Sequence, residues 1–467
     1  MAIAKRARVE TAVIQPIMSP TDKTLIQFLN PQGEACGSEL EVEVGITKDQ
    51  LEELLLSIQT LEACPYSFTL AEVDSEVRTT LLDALTDSKL STERAVTIRY
   101  HPLSEFKVRP VTRCTASMQG HTEAVLCAAF SSDSSSLATG SGDGTVRLWD
   151  MTTCLPDKTL KGHSGWILCV AWQPAGDLLL SAGVDKTARI WRGINGSLAG
   201  VLKGHSQPIT CATWRPAHLG VPMVATAGKD SQVKIFCATS FTCLQTLSGH
   251  TAAVMALKWG GEGELFSAGR DRVIKVWANN KEGGNALCQV GELKGHAHWI
   301  NSLALSSDSV LRVGGDYAAW KAKNGAERLL SASDDFTMML WSGKKLLARL
   351  LGHQKPVNSV KFSPDGRYVA SASFDRSIRI WSGQTGKFMR ACRAHVGEVY
   401  LVAWSADSRS FVSASKDSTV KVWSAEDGKM VEDLPGHADE VFAVDWSADG
   451  SAVASGGRDK EVKIWRH

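Results

Sequence analysis

Long apolar runs are missing from this 467-residue chain: none approaches the roughly 18 residues that a membrane-spanning helix needs. We therefore expect no integral membrane helix and no membrane partner. The first ten residues carry Lys5, Arg6 and Arg8, but no apolar segment follows them, so we expect no secretory signal. Paired cysteine spacing is missing too. The 11 cysteines are scattered and form no CxxC pair, which predicts reduced thiols of the cytosol or nucleus and no intrinsic zinc site. Net charge is nearly absent at +1, but that balance hides an asymmetry. Residues 1–107 hold 10 basic and 17 acidic side chains, and the remainder holds 41 and 33. Two oppositely biased modules suggest two surfaces with different partners. The basic excess permits contact with RNA phosphates without predicting it.

What the chain has in quantity is glycine (40) and tryptophan (15), and a repeat explains both. His121, His163, His205, His250, His296, His353, His395 and His437 each follow a glycine, except that Ala394 precedes His395. Their separations are 42, 42, 45, 46, 57, 42 and 42 residues. Nine residues after each comes Phe130, Trp172, Trp214, Trp259, Leu305, Phe362, Trp404 or Trp446. An aspartate then stands six residues before a closing aromatic: Asp143/Trp149, Asp185/Trp191, Asp230/Phe236, Asp271/Trp277, Asp335/Trp341, Asp375/Trp381, Asp417/Trp423 and Asp459/Trp465. A hydroxyl lies four residues before each aspartate: Thr139, Ser181, Thr226, Ser267, Ser331, Ser371, Ser413 and Ser455.

A period near 42 residues containing alternating runs such as Tyr368–Ser373 and Ser377–Trp381 predicts four short strands per repeat. The repeats resemble WD40 repeats, and the expected fold is mainly β, an eight-bladed propeller over 118–467. We expect each His, hydroxyl, Asp and Trp to form a buried hydrogen-bonded set, because an unpaired buried polar group costs about 1–3 kcal/mol. Eight copies at fixed spacing are scaffold, not a nucleophilic triad, which is a single constellation in a cleft. We expect glycines in the turns that need positive φ. Trp166, Trp299 and Trp320 stand outside the repeat register and are read as surface aromatics. The extra residues of repeat five, around 306–328, are read as a surface loop. Trp465 lies two residues before the end of the sequence, which leaves the eighth blade short of its outer strand. Residues 108–117, within a 103–117 linker, are expected to supply it.

Residues 22–102 read as a separate α+β module. Thr24–Leu29 and Leu40–Val44 flank a turn at 30–33, and Thr47 with Gln50 forms a capping box before an amphipathic helix bearing Leu51, Leu54, Leu55 and Ile58. Tyr66–Leu70 is a strand, Thr80–Ala84 a short helical turn, and Ala95–Tyr100 a last strand. That order is the β-grasp order of ubiquitin-like domains. Residues 1–21 are read as a flexible basic tail.

The combination of modules, with the stretches 106–114, 371–375 and 433–441, resembles the Notchless family of large-subunit ribosome assembly factors. The resemblance covers residue 22 onward. It implies a non-catalytic assembly factor of the large (60S) ribosomal subunit, acting in the nucleolus and nucleoplasm. The ubiquitin-like domain would dock on the MIDAS domain of midasin, an AAA+ ATPase. Glu93, flanked by Ser91 and Thr92, would give a carboxylate oxygen to the Mg²⁺ held there, with no cofactor intrinsic to this chain. The propeller would sit on precursor particles, against proteins and rRNA, as a monomer. The rival expectation is a WD40 adaptor in Notch signalling or in a ubiquitin-ligase complex.

Overall fold

Ile26 and Phe28 alternate with exposed or half-buried neighbours, so the first strand turns one face to a core. The computed structural model describes residues 19–58, 65–88, 90, 95–103, 106–174, 176–279 and 286–467. It divides into two compact units, 1–105 and 106–467.

The first unit runs β1 (Lys23–Leu29), β2 (Ala35–Glu43), α1 (Lys48–Ile58), β3 (Tyr66–Leu70), β4 (Ser75–Val77), α2 (Leu81–Ser88) and β5 (Val96–Pro102). The sheet order is β2-β1-β5-β3-β4, with β1 and β5 parallel at its centre, which is β-grasp topology. The capping box holds α1 at its start: Gln50 Oε1 accepts from the Thr47 amide at 3.0 Å, and Thr47 Oγ1 from the Gln50 amide at 3.4 Å. Leu51 and Leu55 of α1 are buried in one core with Phe28, Phe68 and Ile98. The second helical segment is a full eight-residue helix, longer than the short turn the sequence suggests. Thr80 Oγ1 accepts from the Asp83 amide at its start, and Leu81, Ala84 and Leu85 are buried.

In the second unit, eight four-stranded antiparallel sheets follow one another. The first strands of successive blades touch all the way round, and the eighth blade's touches the first's. The ring closes on β6 (Arg113–Met118), which pairs with Val462–Arg466 as the outer strand of blade eight. Residues 108–112 precede that strand without belonging to it. Val111 is fully buried in the core of blade eight, and the Val108 amide donates to Asp407 Oδ2 at 2.8 Å.

Three expectations need correction. The insert of blade five is not a loop: it folds into α3 (Asp308–Val313) and α4 (Tyr317–Asn324). Asp316 caps α4 by accepting from the Ala318 and Ala319 amides. Trp320 is not a surface residue. It is 7 % exposed and stacks on Tyr317, which in turn stacks on His218 of blade three. Nor do glycines supply the positive φ of the turns between second and third strands. Gly144 does so in blade one, but Lys186, Ser231, Arg272, Phe336, Arg376, Ser418 and Lys460 take the position elsewhere, at φ of 59° to 70°. The preceding aspartate makes this tolerable, since its Oδ1 accepts from the amide two residues on in every blade.

Candidate partner-binding surfaces

The repeat's polar residues meet at one place in each blade. His Nδ1 lies 2.6–3.0 Å from Asp Oδ2 in all eight. His Nε2 lies 2.7–2.9 Å from the Ser or Thr oxygen. The closing Trp Nε1 donates to that same oxygen at 2.7–3.1 Å in seven blades. Thus His121, Thr139, Asp143 and Trp149 form one set, and His163, Ser181, Asp185 and Trp191 the next. His353, Ser371, Asp375 and Trp381, and His437, Ser455, Asp459 and Trp465, repeat it. In blade three Phe236 fills the ring volume but offers no N–H.

One protonation pattern satisfies every atom. Trp N–H donates to the hydroxyl oxygen, the hydroxyl donates to His Nε2, and His Nδ1–H donates to an ionised aspartate. Burial lowers the pKa of His121, His163 and His205 despite the carboxylate beside each, so the neutral imidazole is favoured. For Asp143 burial pulls upward, but hydrogen bonds from Thr145, His121 and the Thr122 amide outweigh it, so its pKa is lowered. The hydroxyl residues are completely buried, which denies a substrate access to them. What the sets do is hold the loop entering each blade against the turn between its second and third strands. Those loops and turns together make one face of the ring, the turn face.

The opposite face carries the blade-five insert. There α3 lies across the mouth of the central channel. Asp308 pairs with Lys258 of blade four at 2.8 Å, and Ser309 Oγ donates to the Pro364 carbonyl of blade six at 3.4 Å. Arg312 Nη1 donates to Asp445 Oδ1 of blade eight at 2.9 Å, and Arg312 Nη2 to the Phe130 carbonyl of blade one at 3.4 Å. The positive charge of Lys258, with burial, brings the nearby Lys361 down to about 8. Behind α3, Glu327 accepts from Ser307 and from the Gly261 amide, and burial pushes its carboxyl up to about 7. Sequence reasoning missed this charged set, although a signal existed. Lys258, Lys361 and Asp445 stand eight residues after their histidines, where the other repeats have Ala129, Ala171, Thr213, Ala304 and Ala403.

Ser91, Thr92 and Glu93 lie outside the described residues. The chain on either side is anchored: Leu90 packs on the β-grasp core and Val96 begins β5. Among the described residues no cluster of three or more His, Cys, Asp or Glu side chains could hold a metal ion, and no helix is long and apolar enough to cross a membrane.

The family model "WD domain, G-beta repeat" matches eight segments: 112–150, 155–192, 196–237, 241–278, 287–342, 344–382, 386–424 and 428–466. "Protein Notchless" of Drosophila melanogaster is 42% identical over 369 residues, covering 73% of this chain and 74% of its own length. The chain belongs to the Notchless family. "Ribosome assembly protein 4" of Saccharomyces cerevisiae is 43% identical over 400 residues, 76% of this chain and 77% of that one. "Notchless protein homolog" of Arabidopsis thaliana is 44% identical over 403 residues, 81% and 85% of the two lengths. Among solved structures, the crystal structure of the computationally designed Ika8 protein matches with a TM-score of 0.63 and 25% identity, covering 76% of this chain and 100% of that one. In this Notchless-family chain the third repeat's model match runs through Phe236, so the lost tryptophan leaves the blade intact.

Proposed function

We propose that this chain is a non-catalytic assembly factor of the large ribosomal subunit. The observation that carries the reading is the 43% identity, over three quarters of both chains, to a protein named for ribosome assembly. The fold supports it: Ser–His–Asp sets buried in a repeating frame offer no cleft chemistry, while two separate units offer two docking surfaces. In this reading the β-grasp unit docks on the MIDAS domain of midasin, with Glu93 as the residue that reaches the metal. A hard Mg²⁺ ion takes oxygen ligands and accepts a partner's carboxylate at an open position. The propeller grips the precursor particle in the nucleolus and nucleoplasm, and ATP hydrolysis in midasin pulls on it through the β-grasp unit.

The test is calorimetric binding of the full chain to the isolated MIDAS domain, with Mg²⁺ and then with EDTA, for wild type and Glu93→Ala. Binding is expected to need both the metal and Glu93, with at least a tenfold loss in the variant. Binding indifferent to EDTA or to Glu93 would sink the coordination mechanism and shift weight to the rival reading, a WD40 adaptor in signalling or in a ubiquitin-ligase complex.

A further inference from the structure

Two tryptophans on the turn face occupy the same place in different blades. Trp166 in blade two and Trp299 in blade five each stand three residues after the blade's histidine. Each is flanked by the residue that precedes the aspartate of the blade before it. For Trp299 that residue is Arg270, whose guanidinium lies 4.2 Å over the indole. For Trp166 it is Gly142, which has no side chain to lay on the ring. Trp299 is accordingly 39 % exposed and Trp166 59 %. The molecule thus carries one indole with a cation already stacked on it and an equivalent indole with its face bare.

The cations around these rings are also unevenly employed. Lys186 in blade two, Lys229 in blade three, Arg270 and Arg272 in blade four, and Arg376 in blade six are all exposed on the turn face. Among the described residues none of the five forms an ion pair. Asp334 in blade five is taken up by Asn301 at 2.6 Å and His298 at 3.6 Å. Round the ring in blades seven and eight most charges cancel instead, although Lys460 is exposed and forms no ion pair among the described residues. Lys416 pairs with Glu398 at 3.4 Å and Arg458 with Asp439 at 3.6 Å, while Glu440 accepts from the Tyr400 hydroxyl. The turn face is therefore split into an arc of free cations with exposed indoles, over blades two to six, and an arc without an exposed indole in which Lys460 is the one such cation left among the described residues.

We infer that the arc over blades two to six binds single-stranded RNA, with a base stacked on Trp166 and the phosphates following Lys186, Lys229, Arg272 and Arg376. A bare indole offers a base the flat contact that a duplex, with its bases already stacked, cannot use. The unpaired cations release counterions when a phosphate chain lies along them. An acidic protein segment would satisfy the cations but would leave the indole face without a use. The inference deepens the assembly-factor reading and rests on it for the source of the strand.

The probe is a fluorescein-labelled 12-nucleotide single-stranded RNA of mixed sequence, titrated with the full chain across a salt series. Its duplex and poly-glutamate serve as competitors. Trp166→Ala is expected to weaken binding at least fivefold. The reversal Lys229→Glu with Arg272→Glu should reduce the salt dependence, and Lys416→Glu should change little. The discriminating variant is Gly142→Arg. A Cβ there finds ordinary contact distances to Trp166 and Glu123, so the arginine can cover Trp166 as Arg270 covers Trp299. It adds positive charge yet should weaken RNA binding. Tighter binding by Gly142→Arg with Trp166→Ala unaffected, or competition by duplex or poly-glutamate as strong as by single strand, would overturn the inference. Thermal melts check that each variant is folded. Cosedimentation with large-subunit precursors is measured in parallel: its loss in wild type would sink the assembly reading, and its presence without RNA binding would sink only this one.

Discussion

Ser371 shows how much a single hydroxyl holds in this frame. It accepts from Trp381 Nε1 at 3.0 Å and lies 2.8 Å from His353 Nε2, in a site with no solvent exposure. Ser371→Ala strands both ring nitrogens, and at about 1–3 kcal/mol for each, a loss of about 2–6 kcal/mol is expected in urea unfolding. Ser371→Thr should stay within about 1 kcal/mol, because Thr139 and Thr226 do the same job in blades one and three. The histidines also set a pH dependence. Burial lowers the folded pKa of His121, His163 and His205 below the ordinary value of 6.5. Above that value folded and unfolded states are both neutral there. As pH falls through it, the unfolded chain takes up protons that the folded chain refuses. Stability should therefore decline by up to about 1.4 kcal/mol per pH unit for each histidine, read as a falling denaturant midpoint between pH 8 and pH 5. A second decline should follow below about pH 4, where Asp143 and Asp185, with lowered pKa values, begin to be protonated in the unfolded state. These sets were legible from spacing, because a hydroxyl, an aspartate and a closing aromatic stand at fixed intervals and recur after each of eight histidines. Trp320 was not legible: outside the repeat register, nothing local distinguishes a buried indole from an exposed one.

At the scale of elements, the blades follow from period and alternation, and the β-grasp unit from its hairpin, capping box and strand order. The insert of blade five escaped because it is an exception to the repeat. Its two helices span six and eight residues, too short for helical periodicity to stand out, and what fixes them is contact with other blades. Glu327 is the weak point of that packing. Its ordinary pKa is 4.5, and burial raises it to about 7 in the fold. A raised folded pKa contributes stability that is present below 4.5 and lost as pH rises through 7. At pH 8 the buried carboxylate is charged and costs on the order of 3 kcal/mol. Glu327→Gln keeps the acceptor for Ser307 and Gly261 and removes the charge. It should raise the melting temperature at pH 8 and lose that advantage near pH 4.5; an equal effect at both values would mean that the charge is not the cause.

Closure decides whether eight blades make one molecule. An antiparallel sheet with a bare outer strand exposes a row of backbone donors and acceptors, and a ring of such sheets can also open between its first and last members. Two devices answer this. On the opposite face, α3 links blades one, four, six and eight through Arg312, Asp308 and Ser309. In blade eight itself, β6 comes from the start of the second unit and pairs over five positions with Val462–Arg466. The residues leading into it bury Val111, and Met118 at its end is 4 % exposed. Burying two such side chains contributes about 3–6 kcal/mol, before any hydrogen bond of the ladder is counted. The ion pairs of α3 are weaker by comparison, since Arg312 is 40 % exposed and water screens it. Ring closure should therefore depend on β6 more than on α3. A chain of residues 106–467 is expected to melt as the propeller of the full chain does. A chain of residues 119–467 should melt on the order of ten degrees lower and aggregate through its open edge, whereas Arg312→Ala in the full chain should cost about 1 kcal/mol. Differential scanning calorimetry of the three decides it: equal melting of the two truncated chains would show that the ring holds without its borrowed strand, and a larger loss from Arg312→Ala than from removing β6 would make α3 the true clasp.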